Sequence, residues 1–151
     1  MKTKVVALDV YGTLIASDDY DNELPPRDGL AEFFKKCSSH GINVVTSSDV
    51  NIETMKRELG EAFSKRNLEL SLFDNFFRIT TFNQVNPENP LPKDYLPILM
   101  HYKIQPPELL VVGDNPYLDF TKAKEIGSQT LQVPKYIIKE DGFDFSSIEL
   151  I

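Results

Sequence analysis

Short apolar runs alternate along the chain with longer segments in which apolar residues recur every three or four positions. The first run, residues 4–8, is rich in valine and stops abruptly at the polar turn DVYGT. Such a run is typical of a parallel strand that is buried on both faces. Similar runs predict five strands, over residues 4–8, 42–45, 77–82, 109–112 and 130–133.

The segments between these runs have the spacing of amphipathic helices. We expect the first helix to follow Asp28 as its N-cap and the second to begin near Asn51. The third is expected to open at Lys93, and the fourth to span residues 117–126. This alternation predicts one α/β domain over residues 1–151, a Rossmann-like three-layer sandwich with a parallel sheet of about five strands and helices on both faces.

The composition of the chain, 151 residues with 41% hydrophobic and 26% charged, is that of an ordinary folded domain. Its net charge of -7 argues against nucleic acid and anionic membranes as partners, because both attract basic surfaces. The single cysteine, Cys37, excludes an internal disulfide and a cysteine-rich zinc site. No positively charged leader opens the sequence and no apolar run reaches membrane-spanning length, so a cytoplasmic location is expected.

The carboxyl ends of parallel strands meet at one edge of a sheet, where open α/β folds bind their ligands. Polar residues that follow predicted strands or open predicted helices at that edge are Asp9, Thr46, Lys93, Asp114 and Asp119. Asp9 and Asp114 would repel each other without a cation, whereas a hard divalent ion accepts both carboxylates as ligands. The pair therefore predicts a Mg²⁺ site.

The other groups at this edge suit an anionic ligand. The ammonium group of Lys93 would offset the negative charge that otherwise keeps a carboxylate from attacking an anion. Thr46 offers a hydroxyl donor, and main-chain amides follow it where the strand turns into a helix. Gly12 allows the main chain to approach the ligand without a side-chain clash. Together these groups predict a phosphate-like electrophile as the substrate.

Four segments resemble, in order, the motifs of the haloacid dehalogenase-like superfamily: VVALDVYGTL, INVVTSSD, Lys93 and LLVVGDNPYLD. The resemblance covers nearly the whole chain and implies Mg²⁺-dependent chemistry through an aspartyl-phosphate. It implies Asp9 as nucleophile, Thr46 as phosphate donor, Lys93 as charge stabiliser, Asp114 as metal ligand, and Asp119 near the metal as the last residue of GDxxxxD. Mg²⁺ would also bind the main-chain carbonyl of Tyr11, and the phosphate would contact Gly12, Thr13, Thr46, Ser47 and Lys93.

The chain departs from the phosphatases of this superfamily at Tyr11. Those enzymes have an aspartate there, which protonates the leaving alcohol and then activates water. A phenol with a pKa near ~10 cannot replace a carboxylate base at neutral pH, and losing acid–base help costs roughly 10² to 10⁴-fold in rate. The DxYGTL form is similar to the 2-haloacid dehalogenase branch, but that branch has a helical cap, and the roughly fifteen residues between the motif and the first helix are too few for one.

Three functions remain open from the sequence. The leading one is a capless Mg²⁺-dependent phosphohydrolase that favours leaving groups able to depart without a proton, such as acyl or aryl phosphates. The alternatives are a metal-free 2-haloacid dehalogenase-like hydrolase and a non-catalytic domain that binds Mg²⁺ or phosphate. Without a cap, the site would be open to a small or large phosphorylated substrate, or to a partner or second copy that covers it.

The remaining polar residues are expected to be ordinary surface or packing groups. Residues 16–27 would form an acidic flap whose Asp18, Asp19 and Asp21 are solvated. Arg27 is expected at the surface. Cysteine and histidine side chains on predicted helices are expected to pack or to face solvent; they are Cys37, His40 and His101.

Overall fold

The core of the fold is a five-stranded sheet with the strand order β3-β2-β1-β4-β5. The computed structural model describes residues 2–16, 25–137 and 142–150, and the acidic residues Asp18, Asp19 and Asp21 lie outside them. The strands are β1 Val5–Leu8, β2 Asn43–Ser48, β3 Asn75–Arg78, β4 Leu109–Gly113 and β5 Gln129–Gln132. All neighbouring strands are parallel, as predicted.

Helices cover both faces of this sheet. The helices are α1 Leu30–Ser39, α2 Ile52–Ser64, α3 Leu96–Tyr102 and α4 Pro116–Ile126. Side chains of α1 and α2 belong to one hydrophobic core, and side chains of α3 and α4 belong to the other. The predicted three-layer α/β sandwich is therefore confirmed. Within the three described ranges, no helix combines the length and apolar character that a membrane span requires.

Strand β1 lies in the middle of the sheet and sends alternate side chains to the two cores. Val6 and Leu8 pack with α1 and α2, whereas Val5 and Ala7 pack with α3 and α4. All four side chains are buried. Burial on both faces explains why the strand is a continuous apolar run. It also places the polar residues that follow β1 at the centre of the carboxyl edge.

Two predicted strand boundaries are wrong. Strand β2 continues beyond its predicted end at Val45 as far as Ser48, because Ser48 still pairs with β3. The third strand is Asn75–Arg78 rather than residues 77–82. Arg78, the last residue of β3, pairs with Ser48, the last residue of β2. Beyond Arg78 the chain has no residue of β2 left to pair with, so β3 ends there.

Two predicted helix starts are also wrong. The N-cap of α1 is Gly29, with a φ of 80°, and not Asp28, so no side chain caps this helix. Asp28 instead pairs with Arg66 at 2.6 Å. Lys93 does not open α3, which begins at Leu96. Lys93 lies in the segment before that helix, and its main-chain N–H donates to the carbonyl of Leu118 at 2.8 Å.

Candidate active site

The adjacent strands β1 and β4 bring two carboxylates together. Leu8 pairs with Val112, and the N–H of Asp9 donates to the carbonyl of Val112 at 3.0 Å. Asp114 follows the end of β4, and Asp119 lies in the first turn of α4. One carboxylate oxygen from each of these three aspartates lies within 4.8 Å of the others. The convergence expected from the sequence is thus present in the structure.

The turn after β1 is closed by its own main chain. The N–H groups of Thr13, Leu14 and Ile15 all donate to the carbonyl of Val10. This turn buries Thr13 completely and points its hydroxyl oxygen between two carboxylates, 3.2 Å from Oδ2 of Asp9 and 3.2 Å from Oδ1 of Asp114. Thr13 therefore fixes the separation of the two acidic side chains.

Gly12 permits the close approach of this turn to Asp114. Its φ is +80°, a backbone conformation that strains residues with a Cβ. A Cβ at this position would also lie 3.0 Å from Oδ2 of Asp114. Both facts explain why a glycine is found here.

Lys93 joins two of the carboxylates through its ammonium group. Its Nζ lies 2.9 Å from Oδ1 of Asp9 and 2.8 Å from Oδ1 of Asp119. The lysine side chain is only 4% exposed. Burial alone would lower the pKa of Lys93, but the negative charges of Asp9 and Asp119 outweigh this effect and raise its pKa above the ordinary value. Lys93 therefore carries a fixed positive charge beside Asp9.

Helix α4 positions Asp119 through its first turn. Asn115 is the N-cap, and its side chain accepts from the N–H of Leu118. Its own N–H donates to Oδ2 of Asp119 at 3.1 Å. Gly113 leaves room for this carboxylate, because a Cβ on Gly113 would lie 2.2 Å from Oδ2 of Asp119. The hydroxyl of the buried Tyr95 donates to the main-chain carbonyl of Asp119 and so also stabilises the first turn of α4.

The acidic cluster has the electrostatics of a cation site. Burial, followed by the proximity of Asp9, raises the pKa of Asp114 to about 7. Burial and Asp9 also raise the pKa of Asp119, although its contact with Lys93 opposes that shift. A divalent ion with oxygen ligands would favour the charged form of all three carboxylates. The residues present therefore fit Mg²⁺.

A cavity of about 190 Å³ opens beside these groups. Besides the three aspartates and Lys93, its lining residues are Tyr11, Ser48, Asp49, Thr81, Asn115, Leu118 and Lys135. Most of these lining residues are polar or charged, and the cavity has room for a phosphoryl group.

Thr46 does not reach this cavity, contrary to the sequence-based expectation. It is fully buried, and its hydroxyl donates to the carbonyl of Phe77 and accepts from the N–H of Phe77. The physical reason is the longer β2: Thr46 lies inside the strand rather than after it. Ser48, the last residue of β2, lines the cavity instead.

Ser47 is buried on the other face of β2. The register that pairs Leu8 with Thr46 places Ser47 beside Asp9. Its Oγ is fully buried. Ser47 is therefore near Asp9 along the sheet edge, although it does not line the cavity.

The side chain of Tyr11 points toward α2. Its hydroxyl donates to Oε1 of Glu58 at 2.8 Å. The residue lines both the main cavity and a neighbouring one of about 130 Å³, which also contacts Glu58 and Lys65. Tyr11 thus forms a wall between the two cavities.

Sequence reasoning missed several residues at the site. Lys135 follows β5, and the rule that polar groups at strand ends form the site could have found it. Asp49, which accepts from the hydroxyl of Thr81 at 3.0 Å, follows β2 in the same way once the strand is given its true end. Arg27, expected at the surface, is only 1% exposed, and nothing in the local sequence pattern indicates this.

A family model for haloacid dehalogenase-like hydrolases matches residues 17–127 of the chain. The matched segment contains Thr46, Lys93, Asp114 and Asp119 and begins after Asp9. No curated protein sequence matches the chain at a significant level.

Several solved structures share the fold. A haloacid dehalogenase-like family hydrolase from Xanthomonas campestris is 12% identical, with a TM-score of 0.66 over 96% of this chain and 92% of that one. CbbY from Rhodobacter sphaeroides, in complex with phosphate, is 12% identical, with a TM-score of 0.66 over 97% and 96% of the two chains. The N-terminal part of a Bacteroides fragilis protein, which contains a phosphatase domain complexed with Mg, is 20% identical, with a TM-score of 0.62 over 88% of this chain and 36% of that one. At these identities the likeness shows the fold.

Proposed function

Because the chain belongs to the haloacid dehalogenase-like hydrolase family, we propose that it is a Mg²⁺-dependent phosphohydrolase that forms an aspartyl-phosphate on Asp9. The observation that carries this proposal is the convergence of three carboxylates and the ammonium group of Lys93 at the carboxyl ends of β1 and β4. Two structures with the same fold support it, since one contains phosphate and the other contains a phosphatase domain with Mg.

We assign the metal to Asp9, Asp114 and Asp119, together with the main-chain carbonyl of Tyr11. When bound, Mg²⁺ would supply positive charge that draws the phosphoryl oxygens toward Asp9. Thr13 keeps Asp9 and Asp114 at a common distance from its hydroxyl. The Asn115 N–H and Lys93 each hold one oxygen of Asp119.

In the first step, a carboxylate oxygen of Asp9 attacks phosphorus. The new oxygen–phosphorus bond forms as the bond to the leaving group breaks, and the leaving oxygen takes the electron pair. Lys93 sits 2.9 Å from Asp9 Oδ1 and offsets the charge that accumulates when an anion approaches a carboxylate. The leaving group then departs past the mouth of the cavity.

In the second step, water attacks phosphorus of the aspartyl-phosphate. The bond to Asp9 breaks and restores the carboxylate, and both protons of the water leave with the released phosphate as H2PO4⁻. Tyr11 stands where an aspartate would assist both steps, and its hydroxyl already donates to Glu58. We therefore propose that the site favours acyl and aryl phosphates, whose leaving groups depart without a proton.

The acidic cluster also bears on the alternative functions. A metal-free carbon–halogen hydrolase would need one nucleophilic aspartate, whereas here Asp114 and Asp119 lie beside Asp9, and burial together with the nearby Asp9 raises the pKa of Asp114. This crowding favours the metal-dependent function. A non-catalytic domain would keep the same metal site and would differ only in turnover.

We further propose that the domain spans residues 1–151 and has no cap. The 15 residues between Leu14 and α1 and the segment 79–95 between β3 and α3 are each too short for a cap domain. The cavity mouth would then admit large phosphorylated substrates, or a partner or second copy could cover it.

The test is release of phosphate from acetyl phosphate and p-nitrophenyl phosphate, with Mg²⁺ and with EDTA. We expect Mg²⁺-dependent release that Asp9→Asn abolishes and that Glu125→Gln, an exposed carboxylate change on α4, leaves unchanged. Activity that survives Asp9→Asn or EDTA would contradict the proposal. Halide release from a 2-haloacid in EDTA would support the metal-free alternative.

A further inference from the structure

Arg27 contacts three consecutive residues of the turn that follows β1. Its Nη1 lies 3.2 Å from the carbonyl oxygen of Thr13 and 3.5 Å from that of Gly12. Its main-chain N–H donates to the carbonyl of Leu14 at 2.9 Å. The side chain is 1% exposed, so these contacts are shielded from water. Arg27 therefore holds the main chain of this turn through buried hydrogen bonds.

Two aromatic rings hold the guanidinium group in place. Its central carbon lies 5.0 Å from the ring centroid of Tyr136 and 5.1 Å from that of Phe143. Both distances suit a cation–π contact. Tyr136 also donates its N–H to the carbonyl of Gly12 and its hydroxyl to the carbonyl of Pro25, each at 2.7 Å. Tyr136 thus links the turn to Pro25, two residues before Arg27.

This turn controls the geometry of the acidic cluster. Thr13 places its hydroxyl between Asp9 and Asp114, and Gly12 packs against Asp114. A shift of the Gly12–Thr13 peptide would move both contacts together. The residue that holds that peptide therefore acts on both carboxylates without touching either of them.

Burying a guanidinium group is costly, and an apolar side chain would fill the same space at lower cost. An arginine at this position is explained if its hydrogen bonds set a geometry that packing alone would leave loose. We propose that Arg27 is a positioning residue for the metal cluster, which fixes the Gly12–Thr13 peptide so that Asp9 and Asp114 converge on one cation. This inference rests on the metal site of the proposed function, and its kcat readout rests on the proposed reaction as well.

The test compares Arg27→Met and Arg27→Lys with Arg57→Met, in which an exposed arginine of α2 is changed. Titration calorimetry measures the Mg²⁺ affinity of the metal-free protein. Steady-state kinetics with p-nitrophenyl phosphate give kcat and KM, and thermal unfolding shows whether each variant folds. We expect Arg27→Met to weaken Mg²⁺ binding by roughly 10 to 100-fold and to lower kcat by a similar factor, as removal of a residue behind metal ligands does elsewhere. Arg27→Lys should recover part of the affinity, and Arg57→Met should match the wild type.

Folded Arg27→Met with a Mg²⁺ affinity within twofold of the wild type would overturn the inference. If Arg27→Met does not fold, Arg27→Lys is the deciding variant, because it keeps the charge but loses the paired N–H donors. A Mg²⁺ affinity of Arg27→Lys within twofold of the wild type would then overturn the inference. The two proposals fail separately. A wild type that binds Mg²⁺ but releases no phosphate defeats the proposed function, and the Arg27 variants can still be compared by metal affinity.

Discussion

The ammonium group of Lys93 lies 2.9 Å from Oδ1 of Asp9, although 84 residues separate them in the chain. The same Nζ lies 2.8 Å from Asp119, so one buried cation neutralises part of a three-carboxylate cluster. The contact places a buried positive charge beside Asp9 and orients its side chain. It also makes Lys93 the residue whose loss should affect stability and reaction together.

Replacing Lys93 with methionine should lower both stability and activity. The change keeps the bulk of the side chain but leaves Asp9 and Asp119 without their cation, and breaking a buried pair costs about 3–5 kcal/mol. Because Asp9 is partly exposed, we expect a loss toward the lower end of that range. We also expect kcat to fall by roughly 10² to 10³-fold. Urea unfolding and phosphate release measure the two effects, and Lys35→Met on the exposed face of α1 is the control.

The metal-free protein should lose stability as the pH rises from about 4 to about 7. The carboxyl of Asp114 has an ordinary pKa of 3.8 and a folded-state pKa of about 7, so the folded chain binds more protons than the unfolded chain between these values. The free energy of unfolding therefore decreases with rising pH in that window. Added Mg²⁺ should restore stability above pH 7.

Asp114→Asn isolates this contribution from those of other titrating groups. We expect thermal unfolding in EDTA to show a smaller decline between pH 5 and pH 7.5 for Asp114→Asn than for the wild type, by about 1–3 kcal/mol. Parallel pH profiles for the two proteins would contradict the raised pKa of Asp114.

The second motif tests where β2 ends. Thr46 is buried and bonded to Phe77, so Thr46→Val should reduce stability by about 1 kcal/mol and leave kcat/KM within about threefold. Ser48 lines the cavity. Its hydroxyl oxygen accepts from the N–H of Val50, so the proton of the Ser48 hydroxyl can be donated to a substrate oxygen. Ser48→Ala should therefore raise KM by roughly 3 to 10-fold. The opposite ranking in steady-state kinetics would show that Thr46 contacts the substrate.

Lys135 is the second cation that lines the cavity. It is exposed at the mouth, whereas Lys93 is buried and committed to two carboxylates. Lys135→Met should raise KM for a phosphorylated substrate by roughly 3 to 10-fold with little change in kcat, because an exposed charge contributes about 1 kcal/mol. Lys35→Met is again the control. A drop in kcat without a change in KM would place Lys135 in the chemical step.

The sequence predicted the sheet because parallel strands that are buried on both faces are continuous apolar runs. Strands β1 and β4 show this pattern directly, and the residues after them, Asp9 and Asp114, could therefore be placed at one edge. The assignment of Thr46 failed because the polar residues 46–48 continue a strand whose apolar run has already ended. Periodicity cannot detect a strand that continues in hydroxyl-bearing residues.

The burial of Arg27 could not be predicted for a different reason. It depends on Tyr136 and Phe143, which lie more than a hundred residues away along the chain. The bond between Tyr11 and Glu58 is likewise a contact between distant elements. Local sequence patterns contain no information about such pairs.

The most direct test of the account is a calorimetric titration of the metal-free protein with Mg²⁺, made in parallel for the wild type, Asp9→Asn, Asp114→Asn and the control Glu125→Gln. We predict one Mg²⁺ per chain in the wild type and the control, and an affinity at least roughly 100-fold weaker in each aspartate variant, because each removes a charged ligand. Equal affinities in all four proteins, or no binding to the wild type, would contradict the claim that Asp9 and Asp114 share a divalent cation.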